Sequence, residues 1–119
     1  MTLRACVLGL AMATTVGAAK ESVSIRVTPA VSFAPANLVI QTRIDPDDGN
    51  RAMEVIADSE AFYRSSTIPL EGNRAPKTTR FEFRSLPPGE YDVTAALIGA
   101  DGRRRALARA HVNVIESGR

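Results

Sequence analysis

The sequence predicts an all-β domain, a seven-stranded antiparallel sandwich preceded by a cleavable signal peptide. Three observations predict it. Apolar and polar residues alternate with period two in short runs rich in Val, Ile, Thr and Phe, the pattern of half-buried strands. Clusters of Pro, Gly, Asp and Asn recur roughly every 8–15 residues, where strands must turn. No stretch carries helical periodicity over a helical length, and a parallel sheet would need crossover helices to connect its strands.

With 119 residues the chain has room for one compact domain. Its first segment reads as a signal peptide, residues 1–19, leaving 20–119 for the sandwich. Arg4 supplies the positive start, Ala5 to Val16 the apolar run, and Gly17-Ala18-Ala19 the small residues a signal peptidase needs. Cleavage is expected after Ala19, with Ala18 as the alternative. The apolar run is shorter than the roughly 20 residues of a bilayer span. Cys6, the sole cysteine, lies inside this segment, so the exported domain would have no disulfide and no thiolate ligand. Lys and Arg total 15 against 13 acidic residues, and without Arg4 the excess falls to about one. A near-neutral domain argues against non-specific binding to nucleic acid or an anionic membrane.

In chain order, Val23, Ile25 and Val27 alternate with Ser24, Arg26 and Thr28 in a first strand that Pro29 stops. Ala30 to Ala36 reads as a crossover whose Phe33 plugs one end of the core. Leu38, Ile40, Thr42 and Ile44 form the inner face of the second strand, and Met53, Val55 and Ala57 that of the third. Between them Asp45-Pro46-Asp47-Asp48-Gly49-Asn50 is a dense turn. Ala61 to Leu70 is strand-like, with Pro69 restricting it to an edge, and Glu71 to Lys77 is a loop. Phe81 and Phe83 point inward from the fifth strand, and Arg80, Glu82 and Arg84 outward as a row suited to cross-strand ion pairs. Tyr91, Val93, Ala95 and Leu97 face inward from the sixth. Gly99-Ala100-Asp101-Gly102 turns the chain into the last strand, Arg103 to Ile115, whose inner face is Ala108, Ala110, Val112 and Val114.

The run Leu86-Pro87-Pro88-Gly89-Glu90-Tyr91-Asp92-Val93 resembles the entry to the sixth strand of secreted immunoglobulin-like and fibronectin type III-like modules. Carboxypeptidase regulatory-like, transthyretin-like domains use a similar Leu-Pro-Pro-Gly-x-Tyr run, and strand order would separate the two. The resemblance implies an immunoglobulin-like fold with Pro87, Pro88, Gly89 and Tyr91 as a structural corner, the Tyr91 hydroxyl bonding backbone a few residues upstream. The Trp and cysteine pair of antibody-type domains are missing from the domain.

Candidate site residues are few. Asp45, Asp47, Asp48 and Asn50 form the one oxygen-rich cluster, a weak candidate for calcium whose every residue turn chemistry also explains. Arg103, Arg104, Arg105 and Arg109 form a possible binding patch for a partner's carboxylates or an acidic polysaccharide. His111 sits outward on the last strand without ligand partners at a useful spacing. Ser65-Ser66 lacks nucleophile-elbow glycines, and Tyr63 is the one ring placed to stack on a sugar. No nucleophile, base and orienter assemble from these residues, and no cofactor is implied. The reading is a non-catalytic exported interaction or structural module of the cell envelope or extracellular space. It is periplasmic or extracellular, binds a protein partner or a glycan but no nucleic acid, and meets a membrane only through the uncleaved signal. A carbohydrate-binding sandwich is the alternative.

Overall fold

A computed structural model describes residues 22–117. Residues 1–21, with Cys6 and the expected signal segment and cleavage site, and the last two residues lie outside them. Eight strands form two packed sheets: β1 Val23–Thr28, β2 Val31–Phe33, β3 Ala36–Ile44, β4 Asn50–Asp58, β5 Tyr63–Pro69, β6 Thr78–Leu86, β7 Gly89–Gly99 and β8 Arg104–Ile115. One sheet is ordered β1-β3-β6 and the other β2-β8-β7-β4-β5. This is the immunoglobulin-type arrangement, with β5 added beside β4 on the larger sheet.

Alternation builds the core. Leu38, Ile40, Thr42 and Ile44 on β3, and Phe81, Phe83 and Leu86 on β6, face Met53, Val55 and Ala57 on β4 and Tyr91, Val93, Ala95 and Leu97 on β7; all are buried. Val112 and Val114 close it from β8. Thr42 is buried at a position otherwise occupied by aliphatics because its hydroxyl donates to Thr79 O at 3.3 Å.

Leu86 departs from strict alternation, standing three residues after Phe83 and not two. A β-bulge absorbs the extra residue: Ala36 pairs with Leu86 and Leu38 with Phe83, so Asn37 opposes both Arg84 and Ser85. Ser85 takes φ 60° there, and its N–H donates to Asn37 Oδ1 at 3.0 Å. The bulge is what lets Phe83 and Leu86 share one face.

Two expectations are corrected. The strands number eight, because Val31–Phe33 is a strand too short to carry a period. It pairs in parallel with β8, Val31 opposite Asn113 and Phe33 opposite Ile115, so the sandwich is not wholly antiparallel. No crossover helix is needed, since the two paired strands lie far apart in the sequence and the strands between them are the connection. Phe33 does not plug the core: this register turns it outward, and it is 64% exposed.

Candidate interaction surfaces

The two candidates the sequence keeps apart, the Asp45–Asn50 turn and the arginine patch, meet at one end of the sandwich. Paired bulges bring them together. Arg51 is the extra residue of β4 between Asn50 and Ala52, and Arg105 that of β8 between Arg104 and Ala106. Arg105 lies across Gly99, where an added Cβ would stand 2.6 Å from its Cδ. Its Nη1 donates to Asn50 Oδ1 at 2.7 Å and to Asp47 Oδ1 at 3.2 Å.

The turn is internally satisfied as well. Gly49 N donates to Asp47 Oδ1 at 2.7 Å, and this bond, with Arg105 beside it, holds the Asp47 carboxyl below its ordinary value. Asn73 Nδ2 donates to Asp48 Oδ1 at 2.6 Å, Asn50 Nδ2 to Asp45 O at 3.1 Å, and Arg51 Nη1 to Asp48 O. Among the described residues, no group of three or more His, Cys, Asp or Glu stands close enough to hold a metal ion. These oxygens lock loops together.

The arginine patch is divided in the same way. Arg104 Nη2 reaches Glu54 Oε1 at 3.2 Å, Arg105 is committed to the turn, and Arg109 lies further along β8 opposite Thr94. The row Arg80, Glu82, Arg84 also differs from expectation. Its cross-strand neighbours on β3 are Gln41 and Val39, and its one ion pair, Glu82 with Arg84 at 3.4 Å, runs along β6. His111 is exposed on β8, with Nδ1 3.4 Å from Asp92 Oδ1 and Nε2 3.5 Å from Glu90 Oε1. Both carboxylates come from β7, the strand that the Gly99–Gly102 hairpin turn places beside β8.

At the opposite end Tyr91 is wholly buried, and its hydroxyl donates to Pro87 O at 2.7 Å. Burial pushes the phenol up from its ordinary value, with the Ser59 hydroxyl and the Arg64 charge pulling the other way. Phe62 packs edge-on against the Tyr91 ring at 6.4 Å. Pro88 is exposed, while Gly89 passes so near Ser59 that a Cβ there would lie 3.3 Å from the Ser59 side chain.

Strand β5 is an outer edge of the larger sheet. Leu70 N donates to Arg51 O, and Ser59 N to Phe62 O, both at 2.8 Å. By antiparallel alternation the even-numbered residues of β5 bond β4, and Tyr63, Ser65 and Thr67 turn their N–H and C=O groups away from it. The side chains of these three carry no charge, and Tyr63 is 59% exposed. The neighbouring edge, β6, is treated differently: Arg64 Nη1 spans from β5 to Arg84 O at 2.7 Å, with its guanidinium over the Phe62 ring. Ser65 and Ser66 point to opposite faces of the strand, opposite Ile56 and Val55 of β4.

Sheets of three and five strands in this order define an immunoglobulin-like, fibronectin type III-like β-sandwich. Solved structures share it at low identity. A superoxide reductase (neelaredoxin) from Ignicoccus hospitalis superposes with a TM-score of 0.54 and 12% identity, covering 79% of this chain and 80% of that one. The human F-spondin reeler domain gives 0.55 and 12%, over 78% and 92% of the two chains. A fibronectin(III)-like module of Clostridium thermocellum CbhA gives 0.51 and 12%, over 79% and 99%. No protein-family description matches the chain, and no curated protein matches it. Identities this low carry the fold alone, and that fold is shared by an enzyme and by modules of larger proteins.

Proposed function

We propose that the chain is a non-catalytic exported interaction module that takes up an extended segment of a partner protein along β5. One observation carries this reading. The outward backbone groups of Tyr63, Ser65 and Thr67 form a ladder with no partner among the described residues, beside side chains that neither repel nor block a neighbour. Natural edge strands are commonly protected by outward charge, bulges or proline, and here only Pro69, at one end, acts in that way. An added strand would gain main-chain hydrogen bonds for affinity and contacts with Tyr63 and Thr67 for selectivity.

The test uses Thr67→Pro, which removes an N–H that makes no internal bond, and Thr67→Lys, which adds an edge charge. Both are expected to melt within about 3 °C of the parent. Cross-linking from position 65 in an envelope extract should then capture a partner with the parent and lose it with both variants. Capture unchanged by either substitution would sink the reading. Sugar binding through the exposed Tyr63 ring is the second reading, and it requires a glycan-array signal that Tyr63→Ala abolishes.

A further inference from the structure

The outer face of the three-stranded sheet brings together three arginines that lie far apart in the chain. Register places Ser24, Arg43 and Thr78 in one row across β1, β3 and β6, and Arg26, Gln41 and Arg80 in the next. Strands lie about 4.8 Å apart, and same-face residues about 6.8 Å apart along a strand. Three guanidinium groups therefore surround the uncharged Gln41. All three arginines are exposed, and none makes an ion pair or side-chain hydrogen bond among the described residues. A shallow depression of about 460 Å³ lies on this face, lined by Ser24, Ile25, Arg26, Gln41, Arg43 and Thr78.

We infer that this face binds an acidic polysaccharide through Arg26, Arg43 and Arg80, independently of the β5 edge. Glu82, the acidic residue next to Arg80 on this face of β6, is paired with Arg84, so among the described residues the three clustered charges have no ion-pair partner, which favours a ligand carrying several anionic groups. Guanidinium pairs with sulfate or carboxylate oxygens in a two-pronged geometry. Between the charges Gln41, Ser24 and Thr78 offer neutral donors and acceptors to sugar hydroxyls.

The face does not suit a lipid surface, which an apolar or aromatic anchor would have to enter. The exposed large apolar side chains, Val31, Phe33, Tyr63, Leu107 and Ile115, all belong to the other sheet. Nor does it offer a ring on which a nucleobase could stack. The outer face of the five-stranded sheet carries Glu54, Asp58, Glu90 and Asp92 against Arg104 and Arg109, so only one side of the molecule attracts a polyanion.

The test is titration of the purified protein with a sulfated heparin decasaccharide, polygalacturonate, neutral dextran and vesicles containing anionic phospholipid. Either acidic glycan should bind, more weakly as salt rises, while dextran and vesicles do not. Arg26→Gln, Arg43→Gln and Arg80→Gln should each weaken binding about threefold and together about 30-fold, with an unchanged melt. The triple change Arg103→Gln, Arg104→Gln and Arg109→Gln, on the other sheet, should leave affinity within about twofold. The inference is overturned if neither acidic glycan binds, if the first triple variant binds like the parent, if the second loses more, or if vesicles bind in their place.

Discussion

Tyr91 and Arg105 hold the two ends of the sandwich by different physics. Tyr91→Phe keeps the buried ring and loses the bond to Pro87 O, so about 1 kcal/mol of stability should go. Tyr91→Ala also opens a cavity and should cost about 3–5 kcal/mol in denaturant titrations. The raised phenol adds a pH signature. A folded-state value above the unfolded one means the contribution is complete below about pH 10 and is lost as pH rises through the folded value. Tyr91→Phe should therefore flatten the alkaline fall in stability, and an identical fall in both proteins would contradict this. At the other end, Gly99→Ala forces Arg105 off Asn50, whose side chain is buried, and should cost about 1–2 kcal/mol. Asp47 titrates in the opposite sense to Tyr91: its depressed value gives a contribution present above about pH 4 and lost as pH falls through the folded value.

Among the elements, β6 shows how one residue sets a register. Deleting Ser85 removes the extra residue, so Arg84 alone opposes Asn37 and strict alternation leaves Leu86 inward, opposite Ala36. Leu86 stays buried and the bond from Ser85 N–H to Asn37 Oδ1 is lost, so the expected change is within about 1.5 kcal/mol, measured by chemical denaturation. A loss of about 2–5 kcal/mol, the cost of exposing Leu86, would mean that the strand cannot do without the bulge. This element also marks what was legible in the sequence. Alternation is a local property, so the inner faces of β3, β4, β6 and β7 could be read residue by residue. The bulge left only a trace, the spacing of three between Phe83 and Leu86. Pairing is not local. Val31–Phe33 lacks a period, and its partner stands about 80 residues away, so nothing nearby in the chain announces a parallel strand.

For the molecule as a whole, the same distinction governs the candidate surfaces. Runs such as Arg103-Arg104-Arg105 and Asp45-Pro46-Asp47-Asp48 stand out in a sequence because their charges are adjacent. In three dimensions Arg105 and Asp47 satisfy each other, and the end they form is a latch between hairpin and turn. Arg26 and Arg43 each sit alone on their strands, and Arg80 stands out in the sequence only in its row with Glu82 and Arg84. Strand order alone makes them neighbours. His111, by contrast, meets its carboxylates on β7 across the hairpin that the Gly99–Gly102 turn announces.

The parallel pairing of β2 with β8 bears on when the domain can be completed. A chain is synthesised from its N-terminus, and β2 is among the first segments to emerge. Its partner residues, Asn113 to Ile115, are among the last of the domain. β7 likewise waits for β8 along most of its length. Contacts this distant in sequence close slowly and only once both ends are available. Nascent chains of increasing length should therefore stay protease-sensitive until residues through Ile115 are free of the ribosome. Protection of a chain ending at Gly99 would refute this. The topology thus ties completion of the domain to the release of its last strand.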